Sequence, residues 1–131
     1  CSAGIETPFG KLVVYGTIVG ILGNRNQSFI PDLKSQMNDL QKLSDKNICF
    51  LGDFNCSFSD NYYFTNEGRN LFNENFKTLN LKNITAEIPE NIDHIVMSEK
   101  FIERFKIKIS EFNLDKKLSD HKGIIVELIS L

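Results

Sequence analysis

The sequence predicts an α/β (α+β) fold: a mixed, mostly antiparallel sheet of about five strands with two helices on one face. Three observations lead there. Short β-branched runs alternate with two stretches whose apolar residues recur at three- and four-residue spacing. No apolar run approaches the ~20 residues needed to span a bilayer. Three polar clusters, Gly52–Asn55, Ile92–Val96 and Ser119–Ile124, each put an Asp where an apolar run begins or ends.

The elements follow in order. Leu12–Leu22 is rich in β-branched residues and reads as a strand running into a loop at Gly23–Asn26. Pro31 and Asp32 mark the first turn of a helix whose apolar face is Ile30, Leu33, Met37, Leu40 and Leu43. That helix should stop near Asp45–Asn47, and Ile48–Leu51 is a short buried strand ending at Gly52. A polar, aromatic-bearing loop spans Asn55–Asn66. A second helix starts near Glu67, with Leu71, Phe72, Phe76 and Leu79 on one face. Strands at Ile92–Met97, Phe105–Phe112 and Gly123–Ile129 complete the expected sheet. The last is nearly all apolar, which predicts cover on both its faces. Two helices can cover one face of such a sheet. Nothing else in the chain is expected to cover the other, so an apolar face is left for a partner.

With 131 residues, 41% hydrophobic and 24% charged, the chain has the size and composition of one globular domain, taken as 1–131. A net charge of -2 gives no global signal for nucleic acid, although local basic loops can still steer one. The three cysteines have neither a disulfide framework nor zinc spacing, and a reducing, cytoplasmic setting is the default. Cys1 opens the chain without a Met. A processed terminus, a lipoprotein anchored through Cys1, and a fragment of something longer are the competing explanations, with the fragment preferred.

Each cluster carries chemistry. In Gly52-Asp53-Phe54-Asn55 the glycine permits a sharp turn, and Asp53 and Asn55 alternate onto one side. Asp53 can orient or deprotonate a water, and Asn55 can hydrogen-bond a phosphate oxygen without adding charge. The same tetrapeptide is also a capped-turn signature, and both readings stand. Asp93 and His94 are strand neighbours, so they point to opposite faces and only one can face a site. The later pair Asp120-His121 supplies an imidazole that needs a carboxylate to orient it, which places Asp93 in the site and His94 outside. Asp120 is a candidate Mg²⁺ ligand, because that ion prefers hard oxygen donors.

In this order, and ahead of a terminal apolar strand, the three clusters resemble those of the endonuclease/exonuclease/phosphatase superfamily. The resemblance runs from about Leu12 to Ile129 and matches the C-terminal half of that family. It implies half of a four-layer α/β/β/α sandwich, with the N-terminal half, or self-association, covering the open sheet face. It also implies hydrolysis of phosphate esters by in-line attack of water, dependent on Mg²⁺ or Mn²⁺, with nucleic acid among the substrates. By resemblance, Asp53 aligns the water and shares in the metal site, Asn55 binds the phosphate, Asp93 orients His121, His121 stabilises the phosphate, and Asp120 binds metal. Tyr15 resembles a phosphate-contacting strand residue, and a half-buried strand aromatic is the equal alternative. The chain departs from the family in one respect. Nothing ahead of Leu12 matches the strand-borne Glu that is the principal metal ligand, so the chain alone is expected to be a weak Mg²⁺ binder. A non-catalytic binding module that keeps the fold is the other functional class.

Overall fold

A computed structural model describes all residues, 1–131. In chain order the elements are β1 (Ser2–Thr7), β2 (Gly10–Ile18), α1 (Phe29–Lys42), β3 (Asn47–Asp53), α2 (Asn66–Thr78), β4 (Leu81–Asn83), β5 (Asp93–Ser98), α3 (Glu99–Ile102), β6 (Phe105–Phe112) and β7 (Gly123–Ser130). One sheet has five strands in the order β1-β2-β3-β5-β4, and β6 and β7 form a separate two-stranded sheet. Only β2 and β3 run parallel; the other pairs are antiparallel.

The larger sheet has its apolar residues sorted by strand alternation. One face carries Phe50 and Val96 and packs against α1 through Leu33, Met37 and Leu40, and against α2 through Phe72 and Phe76. α1 starts at Phe29, so Pro31 falls within the first turn, where a missing N–H leaves no bond unmade. Thr65 caps α2, its hydroxyl accepting from Gly68 N at 3.2 Å. The opposite face carries Leu12, Cys49 and Met97, which pack with Phe101, Ile102 and Phe105.

Two expectations are corrected here. The strands Phe105–Phe112 and Gly123–Ser130 do not join the larger sheet; they fold over its second face, with Ile107, Val126 and Leu128 turned inward. Their places are taken by β1 and β4, which are too polar or too short to carry an alternation signal. Nor is β7 covered on both sides, because Ile125 and Ile129 remain about half exposed on its outer face. The expected open apolar surface is therefore displaced, and includes Ile5 and Ile18 on the main sheet and Ile125 and Ile129 on the outer face of the β6–β7 ribbon. No helix is long and apolar enough to cross a membrane.

His94 lies outside the Asp cluster, as expected, but as a core residue on the helix-covered face. Its Nε2 donates to Cys56 O at 2.9 Å, its Nδ1 faces Thr85 Oγ1 at 3.1 Å, and the ring packs against Phe54 and Phe58. Burial holds it neutral and pushes its pKa down to about 4. As the pH falls, the unfolded chain takes up this proton first, near 6.5. Stability that is complete above that value is therefore lost down to about pH 4.

Two substitutions test these packing arguments. At Gly52 the backbone has φ +136°, and a Cβ would stand 1.9 Å from Thr17 O, so Gly52→Ala should destabilise the fold. The expected cost in urea unfolding is about 3 kcal/mol. Between pH 7 and pH 5 the parent chain should lose about 2 kcal/mol more unfolding free energy than His94→Gln.

Candidate functional site

The end of the main sheet where β3 stops and β5 begins gathers the acidic residues. Asp53 and Asp93 are direct partners in the antiparallel β3–β5 register, so their side chains share a face, the one over which the β6–β7 ribbon folds. The loop before β7 brings His121 to them. Its Nδ1 lies 2.6 Å from Asp93 Oδ2. A carboxylate oxygen can only accept from an imidazole N–H, so Nδ1 carries the proton and Nε2 remains free for a further partner.

The loop holding His121 is fixed by Asn113, whose amide donates to Ser119 O at 2.8 Å and to His121 O at 2.7 Å. Lys122 then ties it across the cleft, its ammonium donating to Pro89 O at 2.6 Å. The Asp93 hydrogen bond raises the His121 pKa, and Asp53 and Asp120 add to it, so the imidazolium is favoured. The pKa of Asp93 is itself raised, because burial outweighs the imidazole beside it. Burial also raises Asp53, aided by Asp93 and Asp120 and opposed by its hydrogen bond from Asn55 N at 2.8 Å.

A cleft of about 160 Å³ opens beside this pair, with Asp93, Asp120 and His121 on its wall together with Tyr62, Asn91 and Lys116. Asn91 escaped the sequence reading. It is buried, and its side chain brackets Asp93, donating to Asp93 O and accepting from Asp93 N at 3.3 Å. Asn-x-Asp before a strand is its one sequence signal, an Asx-type turn.

Two expected site residues face elsewhere. Tyr15 pairs with Phe50 in register, on the helix-covered face and opposite Asp53. Its hydroxyl donates to Asp39 Oδ2 at 3.2 Å, the placement of a half-buried strand aromatic on the face away from Asp53. Asn55 lies next to Asp53, but both hydrogens of its amide are engaged, with Val19 O at 3.0 Å and Gly20 O at 3.2 Å. It adopts φ +48°, where Asn is among the better-tolerated residues, and clamps the end of β3 to the end of β2. In this structure that amide positions the turn that carries Asp53.

No family model matches the chain. No curated protein matches it in sequence. Its backbone is similar to the crystal structure of an endonuclease/exonuclease/phosphatase from Beutenbergia cavernae, with a TM-score of 0.61 and 17% identity over 98% of this chain. The fold is part of an endonuclease/exonuclease/phosphatase fold. The chain spans 38% of that protein's length.

Asp53 and Asp120 are hard oxygen donors of the kind Mg²⁺ takes with retained waters. No three Asp, Glu, His or Cys side chains converge as a ligand cluster. Glu6 does not help, since it pairs with Lys11 at the opposite end of the sheet. The set suits Mg²⁺ in kind and falls short in number.

Removing the orienting carboxylate tests the electrostatics. In Asp93→Asn the His121 pKa should fall toward the ordinary histidine value, read from the imidazole C–H shifts in an NMR titration, while His94 stays neutral across the neutral range.

Proposed function

We propose that this chain is the C-terminal portion of a phosphoesterase, nuclease-like in preferring phosphodiesters, that hydrolyses its substrate by in-line attack of water. The observation that carries the reading is the Asp93–His121 pair beside Asp53 at the rim of a sheet whose fold is that of part of an endonuclease/exonuclease/phosphatase. Asp53 accepts a hydrogen bond from the attacking water and aligns it. Its raised pKa makes it a better base than an ordinary aspartate. His121 donates from Nε2 to a phosphate oxygen as negative charge grows there, and Asp93 fixes the ring and stabilises its charged form. Asp120 and Asp53 would hold Mg²⁺ or Mn²⁺, which when bound neutralises phosphate charge as a Lewis acid. Further oxygen ligands must come from a segment or partner beyond these two, which is why the chain alone is proposed to be inactive. The short span relative to the similar structure and the incompletely covered sheets support that view.

The engaged amide of Asn55 and the shortage of ligands favour a second reading, a binding module that keeps the fold without catalysis. Activity separates the two. The product of the complete reading frame, assayed with Mg²⁺ on bis(p-nitrophenyl) phosphate and on DNA, should turn over. Asp53→Ala and His121→Ala should each lower kcat by about 10²–10⁴-fold. Full activity in both variants, or none in the parent protein with Mg²⁺ or Mn²⁺, would remove the catalytic reading.

A further inference from the structure

Pro89 and Glu90 are exposed in the turn before β5, yet the stretch Ile88–Glu90 is tied down at every residue. Ser59 Oγ donates to Ile88 O at 2.9 Å, and Lys122 Nζ donates to Pro89 O at 2.6 Å. Glu90 N donates to Asp60 Oδ2 at 2.7 Å. Glu90 needs that hold, because its backbone has φ +49°, which a residue with a side chain adopts at a cost. The next residues lead straight into the site. Asn91 brackets Asp93 through the backbone, and Phe54 N donates to Ile92 O at 2.8 Å.

Both anchors of the His121 loop lie on this stretch and its continuation. His121 bonds to Asp93, and its neighbour Lys122 bonds to Pro89 O. Asp60 belongs to a different segment, the loop Asn55–Asn66, and that loop is fixed in turn from α2. Arg69, near the start of α2, donates to Asp60 O and to Asn61 Oδ1, the latter at 3.2 Å. Its guanidinium also lies 3.9 Å from the Phe64 ring centroid. The second carboxylate oxygen of Asp60 accepts from Tyr62 N at 3.0 Å, closing an Asx-type turn. The Glu90 bond is the largest of the effects that hold the Asp60 pKa below the ordinary aspartate value. At neutral pH the acceptor is therefore an anion, which makes the bond a strong one. A continuous path of hydrogen bonds thus runs from α2 through Asp60 and Glu90 to the turn that presents Asp93.

We propose that Asp60 is a positioning residue whose bond to Glu90 N sets where Asp93 meets His121. It touches neither the water nor the phosphate of the proposed reaction and acts through the turn that carries Asp93 and receives Lys122. Its part in catalysis rests on the phosphoesterase reading, whereas its part in the geometry does not.

The test is ¹H–¹⁵N NMR of the 131-residue chain, whose two histidines each hold a ring N–H against an acceptor, Nδ1 of His121 and Nε2 of His94. Asp60→Asn keeps the shape and one acceptor oxygen for Tyr62 N, and it turns an amide donor toward Glu90 N. The Glu90 amide should then exchange at least about tenfold faster, as loss of a charge-assisted bond allows. The His121 ring signal should shift or broaden, while the His94 ring signal and the amides of β3 stay as in the parent. In the product of the complete reading frame the same variant should lower kcat by about tenfold and leave KM in place, as a small misplacement of a reacting group does. An unchanged His121 signal in Asp60→Asn overturns the proposal, and so does an unchanged kcat. Loss of both ring signals also overturns it, by assigning Asp60 to overall stability. A parent chain without a His121 ring signal does the same, since the pair would not be made. A complete product that never turns over removes the phosphoesterase reading, and the ring signals then decide the role of Asp60 in the pair.

Discussion

The hydrogen bond between His121 and Asp93 joins two sheets that are otherwise held together by apolar contacts and by the Lys122 bond to Pro89 O. One partner stands at the start of β5 in the larger sheet, and the other in the loop that feeds the β6–β7 ribbon. Its short length requires the ribbon to sit at one position over the sheet. The bracing from Asn113 and Lys122 means that position does not depend on one contact. The charge state of the imidazole, the shape of the cleft and the distance across it to Tyr62 all follow from where that bond places the loop. Loss of the carboxylate would therefore change the electrostatics and the geometry together.

The two histidines show how placement overrides residue type. His94 has a hydrogen-bond partner at each ring nitrogen and His121 at Nδ1 alone, and the two are driven in opposite directions. His94, among Phe54, Phe58 and backbone carbonyls, has nothing negative beside it, and burial keeps it neutral. His121 is closer to water and faces a carboxylate, so its charged form is favoured. Strand alternation makes the separation, because Asp93 and His94 are adjacent and must face opposite ways.

Much of this was legible from residue order. The β-branched runs at β2, β3 and β5 and the helical spacing of α1 and α2 mark the main layers. Asp53, Asp93 and His121 could be placed together because each begins or ends such a run. Sheet membership could not be read, since the pattern of β6 and β7 says that they are strands without saying which sheet they join. The apolar run in β7 suggested burial on both sides, whereas Ile125 and Ile129 face outward. Tyr15 needed the β2–β3 register to be assigned a face, and no single-strand pattern contains a register. Asn55 was harder still, because a left-handed residue turns its amide back into the chain. Asp60 could not be distinguished from other loop carboxylates until its bonds to Tyr62 N and Glu90 N were placed.

The β6–β7 ribbon has a consequence for how the molecule behaves in a crowded solution. With two strands and no third, it presents unpaired backbone along both margins. Bare margins of that kind recruit strands from other copies and seed fibrous aggregates. Lys108 is paired with Glu127 at 2.8 Å on the outer face of β6, and Lys106 stands there beside Ile129 without an ion pair, so identical ribbons approaching one another would bring their Lys106 charges together. Screening by salt weakens that repulsion. The ribbon should thus tolerate concentration better at low ionic strength than at high, with Lys106 acting as gatekeeper for a surface that apolar residues alone would leave adhesive.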